Sequence, residues 1–297
     1  MHNKLPLILK VPESEISTFK KYIKSCRSKH IRSSQEIVDL VFEQNPSFKE
    51  QILNGEISNT ISSLREIGYN LFLEDEVTFN AVLMRDLHKI LETPKEILKV
   101  ILDTNIKNVS DVQLLESVKD TCGEYAGRVF PYIYELSLSN TQSRRSRAGK
   151  TFESIIYKIY EILNYKFDSQ SKVGRKIFSD LGLGKKVDSI LPSIDCFEKS
   201  RSKTIIGTMK TTLRERWAEV AEEIERTKIP VIHLLTVDEE ISLNKAQEMS
   251  KHNIIIVTYS WVAKSNSLKK MKNIISFEDY LFQEIPAILK FWEENES

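Results

Sequence analysis

The chain from Thr204 to Lys210 reads Thr-Ile-Ile-Gly-Thr-Met-Lys, an apolar and β-branched run that ends on a lysine. A short apolar run of this kind predicts a buried β-strand. Similar runs occupy residues 186–191, 230–237 and 253–259. Segments with helical periodicity lie between the runs at 204 and 230 and between the runs at 230 and 253. Strands that alternate with helical segments are typical of a parallel sheet with crossover helices. The last third of the chain is therefore predicted to be α/β.

The first 130 residues have the periodicity of helices instead. Ser14 and Ser33 each stand at the start of a run of helically spaced apolar residues, as capping serines do. The pattern continues over residues 59–73 and 77–92, and Pro94 occupies the first turn of a further predicted helix. The sequence therefore predicts a helical N-terminal region ahead of the α/β part.

The composition is that of a globular protein, with 41% hydrophobic and 29% charged residues in a chain of 297. No apolar run approaches the roughly 20 residues that cross a bilayer, and the N-terminus lacks the pattern of a signal peptide. We therefore expect a cytoplasmic protein with no membrane partner. Cys26, Cys122 and Cys196 are odd in number and far apart, which predicts buried thiols and neither a disulfide framework nor a zinc site.

Charge is segregated along the chain, although the net charge is only +1. Residues 140–216 contain 17 Lys and Arg against 8 Asp and Glu, and the remainder of the chain is acidic. A polyanion such as DNA binds to locally dense basic charge and releases its counterions. The alternative, a solvated basic surface without a ligand, stays open on this observation alone.

Asp188 and Lys210 are the candidate catalytic pair. Asp188 follows a glycine-containing turn at the start of one predicted strand, and Lys210 ends the next strand. Adjacent strands would bring the two side chains within reach of one phosphate. A carboxylate can bind Mg²⁺, which acidifies an attacking water, and a lysine can orient that water or stabilise the developing charge. The pair therefore predicts magnesium-dependent hydrolysis of a phosphodiester.

A single carboxylate holds a divalent cation weakly, so further acidic ligands are expected. Glu223 lies beside the buried stripe of a helix predicted over residues 211–226. Glu153 lies on a helix predicted to begin near Ala148. Because a glutamate on a helix is more commonly a solvated residue, the sequence leaves both roles open at this point.

A second group of side chains has the chemistry of base recognition. Arg214, Glu215 and Arg216 stand at the start of the predicted helix, where the helix dipole disfavours cations. Arginine pairs in bidentate fashion with guanine, and glutamate accepts from the cytosine amino group, so this triplet suits G:C pairs in the major groove. An exposed Arg-Glu-Arg salt-bridge surface is the alternative. Upstream basic residues are candidate phosphate contacts. These are Arg144, Arg145, Arg147 and Lys150.

Together these segments resemble the type II restriction endonucleases of the EcoRII, SsoII and PspGI group, which read CCGG or CCNGG cores on the PD-(D/E)xK nuclease fold. The resemblance covers residues 141–226. It implies a mixed central sheet flanked by helices, in a catalytic core at residues 131–297. Residues 1–130 would then form a helical region for DNA binding and dimerisation. In that family the second acidic position has moved to the following helix, which explains why Thr208 stands where an acidic residue would otherwise precede the lysine.

By this resemblance Asp188 and Glu223 bind magnesium, Lys210 is the catalytic lysine, and Glu153 completes the acidic cluster. Arg214, Glu215 and Arg216 would read the C:G pairs, and their contiguity favours an interrupted core, CCNGG or CCWGG.

Relatives with an interrupted core flip the central bases out of the helix onto an arginine and an aromatic residue, at a cost of a few kcal/mol. Arg85 is the candidate arginine. Lys89 stands where the aromatic partner is expected, so His88 and Phe79 remain alternatives for stacking.

The resemblance implies a homodimer, with a tetramer as the alternative, that cuts both strands of DNA at a palindrome-like site and leaves 5′-phosphate ends. A cognate methyltransferase is expected in the same system. Two other classes stay open: a structure-specific repair or recombination nuclease of the same fold, and a non-catalytic DNA-binding protein. The joint presence of Asp188, Lys210 and Glu223 argues against the second.

Overall fold

The structure is a computed structural model that describes residues 7–105, 110, 113–183, 187–213, 218, 220–222, 224 and 229–295. The chain divides into two compact units that alternate along it. The first unit comprises Met1–Ser33 and Asn70–Arg147, and the second comprises Ser34–Tyr69 and Ala148–Ser297. The division into residues 1–130 and 131–297 remains a prediction, since the compact units do not meet at a single point in the sequence.

The second unit contains a six-stranded sheet whose strands lie side by side in chain order. The strands are β1 (Asp168–Ser169), β2 (Ser189–Leu191), β3 (Ile205–Lys210), β4 (Ile232–Thr236), β5 (Ile254–Thr258) and β6 (Ile274–Ser276). β1, β2 and β3 pair antiparallel, and β3, β4, β5 and β6 pair parallel. This mixed sheet confirms the predicted α/β class.

The sheet forms because its strands are apolar on both faces. Every residue of β4 is buried, and in β3 only the terminal Lys210 is partly exposed. A sheet that is covered on both faces requires such continuous apolar runs, which is why these strands were visible in the sequence. The four predicted strands and the parallel order of β3, β4 and β5 are confirmed. β1 and β6 were not predicted, because β1 consists of two polar residues and the three residues of β6 follow a lysine-rich segment.

Helices flank the sheet and form the other unit. In chain order they are α1 (Glu13–His30), α2 (Ser34–Gln44), α3 (Ser47–Leu53), α4 (Ile57–Ile90), α5 (Glu92–Asn105), α6 (Leu114–Arg128), α7 (Phe130–Ile162), α8 (Gln170–Val173), α9 (Arg175–Asp180), α10 (Ile194–Lys199), α11 (Leu243–Lys251), α12 (Ser260–Ala263), α13 (Phe277–Asp279) and α14 (Ile285–Asn295). A π-helical segment, Tyr280–Glu284, joins the last two. Across the described part of the chain, no helix is long and apolar enough to span a membrane.

Two predicted helix boundaries were wrong. The segments predicted over 59–73 and 77–92 form one helix up to Ile90, α4, because the intervening residues include neither proline nor glycine. The helix predicted to begin near Ala148 begins at Phe130 instead. Gly149 and the neighbouring serines are poor helix formers and suggested a boundary. Buried apolar residues near both ends of α7, Tyr132 among them, hold it in one piece.

The cysteine prediction was correct for two residues of three. Cys26 and Cys196 are buried, whereas Cys122 is exposed on α6. All three thiols are free. Cys122 lies on a helix with few buried positions, of which Thr121 is one, so its small apolar side chain did not require burial.

Candidate active site at the ends of strands β2 and β3

Asp188 and Lys210 face each other across the antiparallel pair of β2 and β3. Asp188 directly precedes β2, and its backbone N–H donates to the Gly207 carbonyl oxygen at 2.8 Å. Lys210 ends β3, and its Nζ lies 3.6 Å from Oδ2 of Asp188. Both side chains are mostly buried, with 15% of Lys210 and 14% of Asp188 exposed. The two side chains are therefore together, as the strand pattern predicted.

The carboxylate of Asp188 is oriented through one of its two oxygens. Oδ2 accepts from the Met209 backbone N–H at 2.6 Å and from the Thr208 hydroxyl at 3.4 Å. Lys210 Nζ also donates to the Met209 carbonyl oxygen, at 3.0 Å. The Met209 N–H and the Thr208 hydroxyl, both on β3, thus converge on Oδ2. Within the described chain Oδ1 accepts no hydrogen bond, so it is the oxygen available to a ligand.

Glu153, on α7, is the second carboxylate of the site. Burial and, to a smaller extent, the negative charge of Asp188 raise its pKa to about 7, against the lowering effect of Lys210, Lys150 and Arg175. Burial also raises the pKa of Asp188, against the lowering effect of Lys210 and the Met209 N–H. Two buried carboxylates that repel each other form a site that a cation would stabilise.

The donor set fits a hard divalent cation. Carboxylate oxygens are the ligands that Mg²⁺ prefers, and the free Oδ1 of Asp188 and the carboxylate of Glu153 supply them. The described residues include no cluster of three or more His, Cys, Asp or Glu side chains. The third predicted ligand, Glu223, lies outside the described residues.

The sequence analysis missed the residues that hold the backbone around Asp188. The Tyr157 hydroxyl donates to the Asp188 carbonyl oxygen at 2.9 Å, and the Gln170 amide donates to the Val187 carbonyl oxygen at 2.6 Å. The Tyr157 ring stacks on Phe167, with centroids 5.3 Å apart. Tyr157 lies one helical turn after Glu153, and that i, i+4 spacing is the signal that would have identified it.

The reading triplet predicted at residues 214–216 lies outside the described residues. Leu213, which precedes it, is fully buried, and its backbone N–H donates to Asp238 Oδ2 at 2.7 Å. Beyond the triplet, Ala218, Val220–Glu222 and Ile224 are helical, as predicted, but residues 211–213 are not, so the predicted start of this helix at Thr211 was wrong.

Two of the four predicted phosphate contacts are engaged within the first unit. Arg144 forms an ion pair with Glu76, whose side chain is 3% exposed. Arg147 donates to the Arg32 carbonyl oxygen, and its guanidinium lies 5.3 Å from the centre of the Phe72 ring. Both arginines lie within α7, where the sequence analysis expected a segment ahead of a helix.

The other two predicted phosphate contacts, Arg145 and Lys150, are exposed. Lys150 belongs to the second unit and lies near enough to Glu153 to lower its pKa.

The candidate base-flipping arginine is on the surface. Arg85 is 68% exposed, and its Nε lies 3.4 Å from Asp86 Oδ1, which Lys89 also contacts at 2.8 Å. Phe79, one of the two aromatic alternatives, is fully buried beneath the guanidinium of Arg27, at 4.5 Å from its ring centre. This burial removes Phe79 as a stacking partner and leaves His88, which is partly exposed.

Solved structures of restriction endonucleases share this fold. Metal-depleted Ecl18kI in complex with uncleaved, modified DNA has a TM-score of 0.71 and 28% sequence identity, and the match covers 92% of this chain and 84% of that one. The complex of metal-depleted Ecl18kI with uncleaved DNA has a TM-score of 0.68 and 27% sequence identity, and the match covers 93% of this chain and 85% of that one. A PspGI–substrate DNA complex has a TM-score of 0.56 and 18% sequence identity, and the match covers 89% of this chain and 94% of that one. At this identity it supports the fold alone. The fold is thus that of the restriction endonucleases.

The family follows from the sequence comparison. The family described as EcoRII C terminal matches residues 117–281, and the chain belongs to this family. The type II restriction enzyme SsoII of Shigella sonnei is 35% identical over 175 residues, which are 59% of this chain and 56% of the relative. The chain thus spans about half the length of that curated relative.

Proposed function

We propose that this protein is a type II restriction endonuclease that cuts both strands of double-stranded DNA at a defined sequence. The observation that carries the proposal is the contact between Lys210 and Asp188, 3.6 Å apart, beside the partly buried Glu153. Family membership and the DNA-bound Ecl18kI structures support it.

The cofactor proposed is Mg²⁺, held by Asp188, Glu223 and Glu153. When bound, the metal neutralises phosphate oxygens and lowers the pKa of an attacking water. Oxygen-only ligands favour magnesium over softer metals. The relative Ecl18kI holds uncleaved DNA in its metal-depleted state, which agrees with this requirement.

The protein side chains have separate tasks in the proposed reaction. Oδ2 of Asp188 is held by the Met209 N–H, so Oδ1 is the oxygen that would bind the cofactor. The ammonium of Lys210 orients the water and stabilises the charge that develops on the phosphate. Glu153 can hold a proton near neutral pH, because burial and Asp188 raise its pKa to about 7. Hydrolysis by this route leaves the phosphate on the 5′ end.

Sequence recognition is assigned to Arg214, Glu215 and Arg216, on a CCNGG core with CCWGG and CCGG as the alternatives. Bidentate arginine contacts to guanine and glutamate contacts to cytosine are each worth about 1–3 kcal/mol of discrimination. Arg85 is proposed to receive a flipped central base. Arg145 and Lys150, which are exposed, are the stronger candidates for backbone contacts than Arg144 and Arg147.

The assembly proposed is a homodimer, because a two-fold symmetric site is matched by a two-fold symmetric protein. A tetramer is the alternative. A cognate methyltransferase would protect the host's own sites, and the cytoplasm, where the DNA is, is the proposed location.

The test is a plasmid digest with purified protein and Mg²⁺, followed by sequencing of the ends. Discrete double-strand ends at CCNGG, CCWGG or CCGG are expected from the wild type and from K251A, whose exposed lysine pairs only with Glu248 among the contacts described. K210A removes the same charge from the site and should leave the plasmid intact. Intact DNA with the wild type, or cleavage only of branched substrates, would overturn the proposal and favour a binding protein or a structure-specific nuclease.

A further inference from the structure

Asp238 lies at the same edge of the sheet as the catalytic pair. The parallel strands β3 and β4 are in register, with Lys210 opposite Thr236 at their carboxyl ends. Asp238 follows Thr236 by two residues, so it leaves the sheet beside the point where the chain continues from Lys210. Ligand-contacting groups of α/β proteins cluster at this edge.

Both carboxylate oxygens of Asp238 are used. Oδ2 accepts from the Leu213 backbone N–H at 2.7 Å, and Oδ1 accepts from the Glu240 backbone N–H at 3.0 Å. The Asp238 N–H in turn donates to the hydroxyl of Thr236 at 3.1 Å. Thr236 is fully buried in β4, so Asp238 is anchored to the interior of the sheet.

These contacts restrain the short connection that follows Lys210. At one end Lys210 is held by the β3–β4 ladder, and three residues later Leu213 is fully buried and bonded to Asp238. Leu213 immediately precedes the triplet at residues 214–216. Asp238 thus fixes the position of Leu213, the residue directly before the triplet, relative to Lys210.

We propose that Asp238 is a positioning residue for sequence readout, which acts by holding the amide of Leu213, the residue that directly precedes the reading triplet in the sequence. This inference rests on the proposed function, in which Arg214, Glu215 and Arg216 read the bases. Base contacts are directional and tolerate little displacement, so loss of this anchor weakens recognition of the cognate sequence. Phosphate contacts made by other basic residues are less affected.

The carboxylate form is required by the geometry. Asparagine has one acceptor oxygen, so D238N can keep the bond from Leu213 or the bond from Glu240 but loses the other. D238A loses both. The two variants should therefore form a graded series, with the asparagine giving partial rescue.

The experiment measures affinity for two duplexes in Ca²⁺, one carrying the site that the wild type cuts and one with the same bases scrambled. The readout is the ratio of the two affinities for folded protein, with thermal unfolding as a check on folding. We expect the ratio to fall at least tenfold in D238A and by a smaller factor in D238N. The control is E239A, which removes the same charge from the neighbouring exposed residue, whose carboxylate contacts only Trp261 among the bonds described. Its ratio should stay within twofold of the wild type.

Each result decides the question. A ratio within twofold of the wild type in folded D238A or D238N overturns the positioning role, as does an equal fall in E239A. A loss of stability with an unchanged ratio assigns Asp238 a structural role only. R214A is tested in parallel, because it distinguishes a failure of this inference from a failure of the proposed reading function. If the wild type does not discriminate, or if R214A discriminates as well as the wild type does, the proposed reading function fails and this inference fails with it. If R214A loses discrimination while D238A keeps it, only the role of Asp238 is wrong.

Discussion

Gly207 of β3 lies so close to Ser189 of β2 that a Cβ on the glycine would stand 2.5 Å from the serine Oγ. The two residues are direct cross-strand partners, and the Gly207 carbonyl also accepts the backbone N–H of Asp188. The absence of a side chain at position 207 therefore allows the strand approach that places Asp188 beside Lys210.

Replacing Gly207 with alanine should separate β2 from β3 and displace Asp188. We expect cleavage to fall at least tenfold and the protein to lose about 1–3 kcal/mol of stability, as is typical of overpacked interiors. Urea unfolding and cleavage rates measure the two effects. The double variant S189A/G207A removes the clashing oxygen and should recover much of both, so equal defects in the single and double variants would contradict this explanation.

Replacing Thr208 with valine should reduce cleavage several-fold and leave the fold intact. The hydroxyl is one donor to Asp188 Oδ2, at 3.4 Å, and the Met209 N–H at 2.6 Å remains as the stronger one. Single-turnover cleavage measures the effect. T258V is a matched control, since the buried Thr258 hydroxyl has no hydrogen-bond partner within the described chain. An unchanged rate in T208V would show that the hydroxyl does not orient the carboxylate.

The stability of the metal-free protein should depend on the ionisation of Glu153. Its pKa is raised to about 7 in the folded chain, from an ordinary value of 4.5, by burial and by Asp188. A carboxyl group with a raised pKa stabilises the fold below its unfolded pKa, and this contribution is lost as the pH rises through the folded pKa.

Between pH 4.5 and 8 in EDTA, the wild type should thus lose about 1–3 kcal/mol more unfolding free energy than E153Q does. Denaturant unfolding of both proteins across this range is the measurement. Parallel curves for the two proteins would mean that Glu153 is not held in a buried, repulsive position.

Adding Mg²⁺ should raise the unfolding temperature of the wild type, because a ligand that binds only the folded state stabilises it by mass action. The shift should be lost in D188A, whose remaining described carboxylate, Glu153, binds the ion weakly on its own. Thermal unfolding with Mg²⁺ or EDTA tests this without any cleavage. E239A is the control, and an equal shift in D188A would place the metal elsewhere.

Arg144 and Arg145 are neighbours with opposite predicted roles. Arg144 pairs with Glu76, whose side chain is 3% exposed, so R144A leaves a buried carboxylate without its partner. We expect R144A to lose about 1–3 kcal/mol of stability, the cost of an unsatisfied buried group. R145A should instead keep its stability and bind DNA more weakly, with a smaller dependence on salt. Salt-dependent binding and unfolding measurements separate the two. The reverse pattern would refute both assignments.

Much of the sheet was predictable because its strands are continuous apolar runs of five or six residues. The run at 204 became β3, and the helical segments that follow it predicted the parallel order. β1 and β6 were not predicted, because β1 consists of two polar residues and β6 follows a lysine-rich segment without a longer apolar run. The length of α7 was not predicted for another reason. Packing of residues far along the helix outweighs the weak helix formers near Gly149, and the local sequence does not reveal this packing.

The sequence by itself determined the α/β class, the parallel arrangement of β3, β4 and β5, and the positions of Asp188 and Lys210 at the ends of adjacent strands, since these follow from local hydrophobic periodicity. Only the tertiary structure decided which oxygen of Asp188 is held, that Tyr157 bonds the Asp188 carbonyl and Asp238 the Leu213 amide, and that Arg144 is paired with a buried glutamate. These features are contacts between side chains and backbone groups on separate elements. Whether a given carboxylate, hydroxyl or guanidinium finds its partner depends on distances of a few ångströms that packing sets and residue spacing does not.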